Sequence, residues 1–73
     1  MVMKLQVNVQ KVQVRILPDG RLNRRDAAAY LGMSEKTLAI WATQGRGPKV
    51  QPVGGRRFYF QAELDRFVRE GDQ

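Results

Sequence analysis

The sequence contains no cysteine and no histidine. Without cysteine, no disulfide and no thiolate metal site can reinforce the fold, a pattern that fits a reducing compartment. Without histidine, imidazole-based catalysis and most zinc chemistry are excluded. No apolar run approaches the ~18 residues of a membrane-spanning helix. Met1-Val2-Met3-Lys4 leads into no long apolar stretch, so no secretory signal is expected. Glycine-rich nucleotide motifs are missing too. The acids Glu63, Asp65 and Glu70 meet no second acidic cluster at a metal-binding spacing and read as a solvated face. The expectation is a protein that is not an enzyme, with no metal and no cofactor.

What is present is basic charge. The 73 residues carry 13 Lys/Arg against 7 Asp/Glu, a net charge of +6. The excess is uneven: residues 1–60 hold 11 basic and 3 acidic residues, whereas residues 61–73 hold 2 and 4. A basic body with an acidic end points to one surface facing a polyanion and one turned away. A chain this short buries only ~60% of its unfolded surface, too little to enclose an active site.

Residues 5–16 alternate with period 2. Leu5, Val7 and Val9 share one face, then Val12, Val14 and Ile16 share another after a phase slip near Gln10-Lys11. One bulged strand or a tight hairpin would explain the slip. Leu17-Pro18-Asp19-Gly20 is a turn. A first helix follows, with Asn23 as N-cap and Asp26 at its third position. Leu22 can staple to Ala27, the inward face is Ala27, Ala28 and Leu31, and Gly32 is the stop. A second helix begins at once, capped by Ser34, with Leu38, Trp41 and Ala42 inward and Gly45 at its end. Gly54-Gly55 joins two strands over residues 50–60 and favours a primed turn, which pairs Val53 with Arg56. That register sets Val50, Arg57 and Tyr59 on one face, with Arg56, Phe58 and Phe60 on the other. Pro52 confines its strand to an edge. A last helix over residues 62–70 buries Leu64, Phe67 and Val68.

Two short capped helices joined by a glycine turn, in a basic chain, form a helix-turn-helix pattern. Arg25-Asp26-Ala27-Ala28-Ala29-Tyr30-Leu31-Gly32 comes first, then Ser34 with Thr37-Leu38 and Trp41, then Gly45 and Pro48. After these stand Gly54-Gly55-Arg56-Arg57, Tyr59 and Leu64. In this order the residues resemble the excisionase-like winged helix-turn-helix family of the MerR-like superfamily. The resemblance covers residues 22–68, about two thirds of the chain. It implies an α+β fold: two short helices, a β-hairpin wing and a C-terminal helix, preceded here by an N-terminal β-strand segment. Residues 1–17 are expected as that extension, packing on the wing or making a dimer, and residues 18–73 as the DNA-binding domain. The twenty-odd residues ahead of the first helix depart from the family pattern. So do Phe58 and Phe60, where polar or basic residues are common.

The implied function is sequence-specific binding of double-stranded DNA, with helix 34–44 in the major groove and wing 50–60 on the backbone or minor groove. The residues near the start of a groove-filling helix reach base edges. Here these are Ser34, Glu35, Lys36 and Thr37, with Ile40 one turn on. Lys36 can donate to guanine or phosphate. Thr37 can hydrogen-bond or touch a thymine methyl. Glu35 can accept from cytosine, or serve only the helix dipole. Ile40 is a methyl contact or an edge-of-core residue. On the wing, Arg56 and Arg57 can grip phosphate or enter the minor groove; a solvated hairpin tip is the alternative. Arg24, Arg25, Arg46 and Lys49 are candidate phosphate clamps. Trp41, Tyr30 and Tyr59 read as core, and the aromatics are not expected to interleave with basic residues on one sheet face.

The resemblance implies an excisionase or recombination directionality factor, or a small transcriptional regulator of a mobile element such as a phage. Its partners would be duplex DNA, a recombinase or other DNA-bound protein, and a second copy through the N-terminal strand. The expected location is cytoplasmic, on the nucleoid. The alternative is a protein-interaction adaptor or the DNA-recognition arm of a phage packaging or replication complex.

Overall fold

The computed structural model describes residues 13–71. Six elements follow one another: β1 (Arg21–Asn23), α1 (Arg24–Leu31), α2 (Glu35–Thr43), β2 (Gln51–Val53), β3 (Arg56–Phe60) and α3 (Gln61–Glu70). The fold is α+β, three helices on a three-stranded antiparallel sheet of order β1-β3-β2. This is the architecture of a small winged helix-turn-helix.

Helix starts follow the caps. The Asn23 side chain accepts from the Asp26 amide at 2.8 Å, and the Ser34 side chain accepts from the Thr37 amide at 3.1 Å. Each satisfies a donor that the first helical turn leaves orphaned. Between the helices, Gly32 lies at φ 72°, and the Met33 amide reaches back to the Ala28 carbonyl at 2.9 Å. Only a residue without a β-carbon takes that left-handed bend at little cost, so α2 leaves α1 within three residues.

The core is Leu22, Ala27, Ala28, Leu38, Tyr59 and Leu64. Leu22 stands opposite Tyr59 in the β1–β3 ladder, which brings the start of the domain onto its wing. The two alanines let α1 approach its neighbours closely, and α1 packs against α2, β1, β3 and α3 alike. Tyr30 donates its hydroxyl to Asp65 and accepts from the Gln61 side chain at 3.3 Å, which ties α1 to α3. Asp65 is therefore engaged rather than part of a wholly solvated acidic face.

The hairpin register is Val53 opposite Arg56, Pro52 opposite Arg57 and Gln51 opposite Phe58, with Gly54 and Gly55 at φ 56° and 80°. Two successive positive φ values make the primed turn that matches strand twist. Pro52 lies on the edge strand, as expected from its missing donor.

Three expectations need correction. The strand ahead of the first helix is Arg21–Asn23, after the Pro18-Asp19 turn, and residues 13–17 form no strand. Val14 still packs against the core. The remainder of the expected N-terminal strand lies outside the described residues. Val68 is not buried: it is 64% exposed, because α3 turns Leu64 and Phe67 inward and Val68 falls beyond that stripe. Trp41 sits half-buried at the rim, its ring 5.8 Å from that of Phe67.

Candidate nucleic-acid interface

The first turn of α2 is held from within. Ser34 Oγ accepts the Thr37 amide and donates to Thr37 Oγ1 at 2.8 Å, so both hydroxyls are fixed at the helix start. Leu38 is buried in the core and sets the helix's rotation. That rotation leaves Ser34, Glu35 and Lys36 exposed, Thr37 half-buried and Ile40 44% exposed. Glu35, in the first turn, also complements the helix dipole. The five residues thus lie on or beside one outward surface of a short, rigidly capped helix.

The wing tip is open. Residues 52–57 are all exposed, Arg56 and Arg57 among them. Among the described residues Arg57 forms no ion pair with the acids of α3. The Arg56 guanidinium lies 6.0 Å from the Phe58 ring centre. Arg21, which sequence reasoning did not single out, lies 4.7 Å from the same ring. Basic and aromatic side chains do therefore interleave on one sheet face, contrary to expectation. The signal was hidden because Arg21 reaches Phe58 only through β1, an element too short for periodicity to reveal.

The four candidate clamps differ in setting. Arg25 is exposed at the start of α1, in a notch shared with Gln13, Arg15 and Asn23. Arg24 beside it is half-buried, and its Nε is buried without a partner among the described residues. Arg46 is stacked over Trp41 at 5.0 Å, which fixes its stem beside the end of α2. Lys49 is exposed in the loop before β2. The buried Pro48 anchors that loop. The structure thus gathers Ser34 to Thr37 with Ile40 on α2, and Arg56 and Arg57 on the wing. The remaining cations are distributed around α1 and the α2–β2 loop.

A family model for the helix-turn-helix domain matches residues 21–72. The chain belongs to the helix-turn-helix domain family. Neither a curated protein nor a solved structure matches it. Membership makes this domain a DNA-binding module, and the matched span includes the two helices α1 and α2 joined at Gly32. The matched span also takes in β1, the wing and α3, so the sheet belongs to the domain. Residues 13–20 lie ahead of it. Among the described residues no helix is long and apolar enough to cross a membrane.

Proposed function

We propose that this helix-turn-helix domain binds duplex DNA in a sequence-dependent way. In this reading α2 enters the major groove and the wing rests on the sugar-phosphate backbone or in the minor groove. The observation that carries the reading is the first turn of α2: Ser34 and Thr37 are locked to each other while Glu35 and Lys36 stand free in solvent. A helix that spends its caps on its own amides and its apolar stripe on the core leaves that turn, with Ile40 one turn on, to meet base edges. Ser34, Glu35, Lys36, Thr37 and Ile40 are the proposed readers. Arg24, Arg25, Arg46, Lys49, Arg56 and Arg57 supply the phosphate contacts that set register.

Within this class we place the protein among excisionase-like factors, as a recombination directionality factor or a small regulator of a mobile element. The order of the Arg25-to-Gly32 motif, Trp41, Gly54-Gly55-Arg56-Arg57 and Tyr59 supports that placement. Residues 1–17 would act as an extension that packs on the wing or pairs with a second copy, and a recombinase or other DNA-bound protein would be a further partner. Selection of bound duplexes from a random pool, followed by footprinting, tests all of it. Several adjacent sites with bending identify the architectural role, and one palindrome identifies the regulator. Failure to retain any duplex in a salt-dependent manner refutes the reading.

A further inference from the structure

The side of the sheet away from the helices carries a cluster of which the proposed contacts use only Arg56. Cross-strand pairs share a face, and faces alternate along a strand. Arg21, Arg56, Phe58 and Phe60 therefore stand opposite the Leu22–Tyr59 side that forms the core. The guanidinium groups of Arg21 and Arg56, one from each end of β3's outer face, converge on the Phe58 ring at 4.7 and 6.0 Å. Cation–π attraction holds each of them against that ring. Asp19 anchors the nearer arginine: its carboxylate takes the Arg21 backbone amide at 3.2 Å and Nε at 2.7 Å. The terminal nitrogens of Arg21 are left for another acceptor, and its side chain is 25% exposed. Asp19 offsets the Arg21 charge in part, whereas the exposed Arg56 forms no ion pair among the described residues, so the pair keeps a net positive charge that suits an anion beside it. Arg56 adjoins the wing tip, so the anion on hand is the backbone of the duplex the wing already meets.

We propose that Arg21 is a further phosphate-binding residue, and that Phe58 is a positioning residue that presents Arg21 and Arg56 as a pair to the DNA backbone. The inference rests on the duplex-binding reading and extends the interface from the wing tip onto the outer sheet face. The test is fluorescence anisotropy of a labelled duplex with the full 73-residue chain between 50 and 200 mM KCl. It compares the wild type with Arg21→Ala, Arg21→Gln, Phe58→Leu and the Arg21→Gln/Phe58→Leu double variant, each checked for a native melt. Loss of one phosphate contact lowers the slope of log K against log salt by about 0.9. That decrease is expected for both Arg21 variants, with equal weakening on cognate and random duplexes. Phe58→Leu is expected to weaken binding, and by less when Arg21 is already gone. Wild-type slopes in both Arg21 variants, or a Phe58→Leu effect undiminished in the double variant, overturn the proposal while duplex binding stands. A wild-type chain that binds no duplex refutes the underlying reading instead.

Discussion

Gly47→Ala is expected to displace Trp41. Gly47 lies at φ 84°, and a β-carbon there would stand 2.8 Å from Trp41 Cε3 and 3.3 Å from Trp41 Cβ. Gly45, two residues earlier, has φ 70° but nothing within 4 Å of its added β-carbon. The pair separates two costs. Both substitutions incur left-handed strain of about 1–2 kcal/mol. Both recover about 0.4–1 kcal/mol because alanine restricts the unfolded chain. Only Gly47→Ala adds overpacking, about 1–3 kcal/mol. The indole cannot retreat freely, since Phe67 packs on it at 5.8 Å and Arg46 covers it at 5.0 Å. At about 4–8 °C per kcal/mol for a domain of this size, Gly47→Ala should melt at least about 4 °C below Gly45→Ala. Circular dichroism gives both midpoints. Emission from Trp41, the sole tryptophan, should change in the Gly47 variant alone. Equal midpoints with unaltered emission in both variants would refute the steric argument.

Lys36→Ala should cost ~1–3 kcal/mol on a cognate duplex if the lysine reads a base, and little on random DNA; equal losses on both would move Lys36 to the phosphate contacts. Asn23→Ala should destabilise the fold by about 1 kcal/mol through the lost bond to the Asp26 amide, while Asn23→Asp should preserve it; denaturant midpoints decide. Val68→Ser should shift stability by no more than about 0.5 kcal/mol, because the valine is 64% exposed; a larger loss in a urea melt would mean that the side chain is covered.

Much of this fold was legible because its signals are local. Asn23 and Ser34 cap as their chemistry dictates, and Gly32 and Gly54-Gly55 take the positive φ values their turns require. Pro52 marks the edge. What escaped was non-local. Arg21–Asn23 is a strand only because Tyr59 and its neighbours lie opposite; three residues show no period of their own. The valine alternation upstream was stronger, yet its described end pairs with no strand, and Val14 finds the core without a ladder. Val68 belongs to a helical period but falls outside the arc that α1 and β3 can cover. For the candidate interface, the exposure of the basic and polar residues of α2 and the wing was readable from caps and turns. The Arg21–Phe58 contact needed the third strand to be seen.

Pro52 also governs how this protein can assemble. In an antiparallel ladder, hydrogen-bonded pairs alternate with non-bonded ones. Closure of the Gly54-Gly55 turn makes Val53–Arg56 a bonded pair, so Pro52 opposite Arg57 falls at a non-bonded position, its backbone directed away from β3. The open border of β2 is therefore the one place where an amide would have been offered to an incoming strand, and proline has none. A neighbouring chain finds no amide donor at Pro52, which disfavours continuation of the sheet through β2. Pairing of copies along the border of β2 is therefore disfavoured, and the wing is kept as a separate projection.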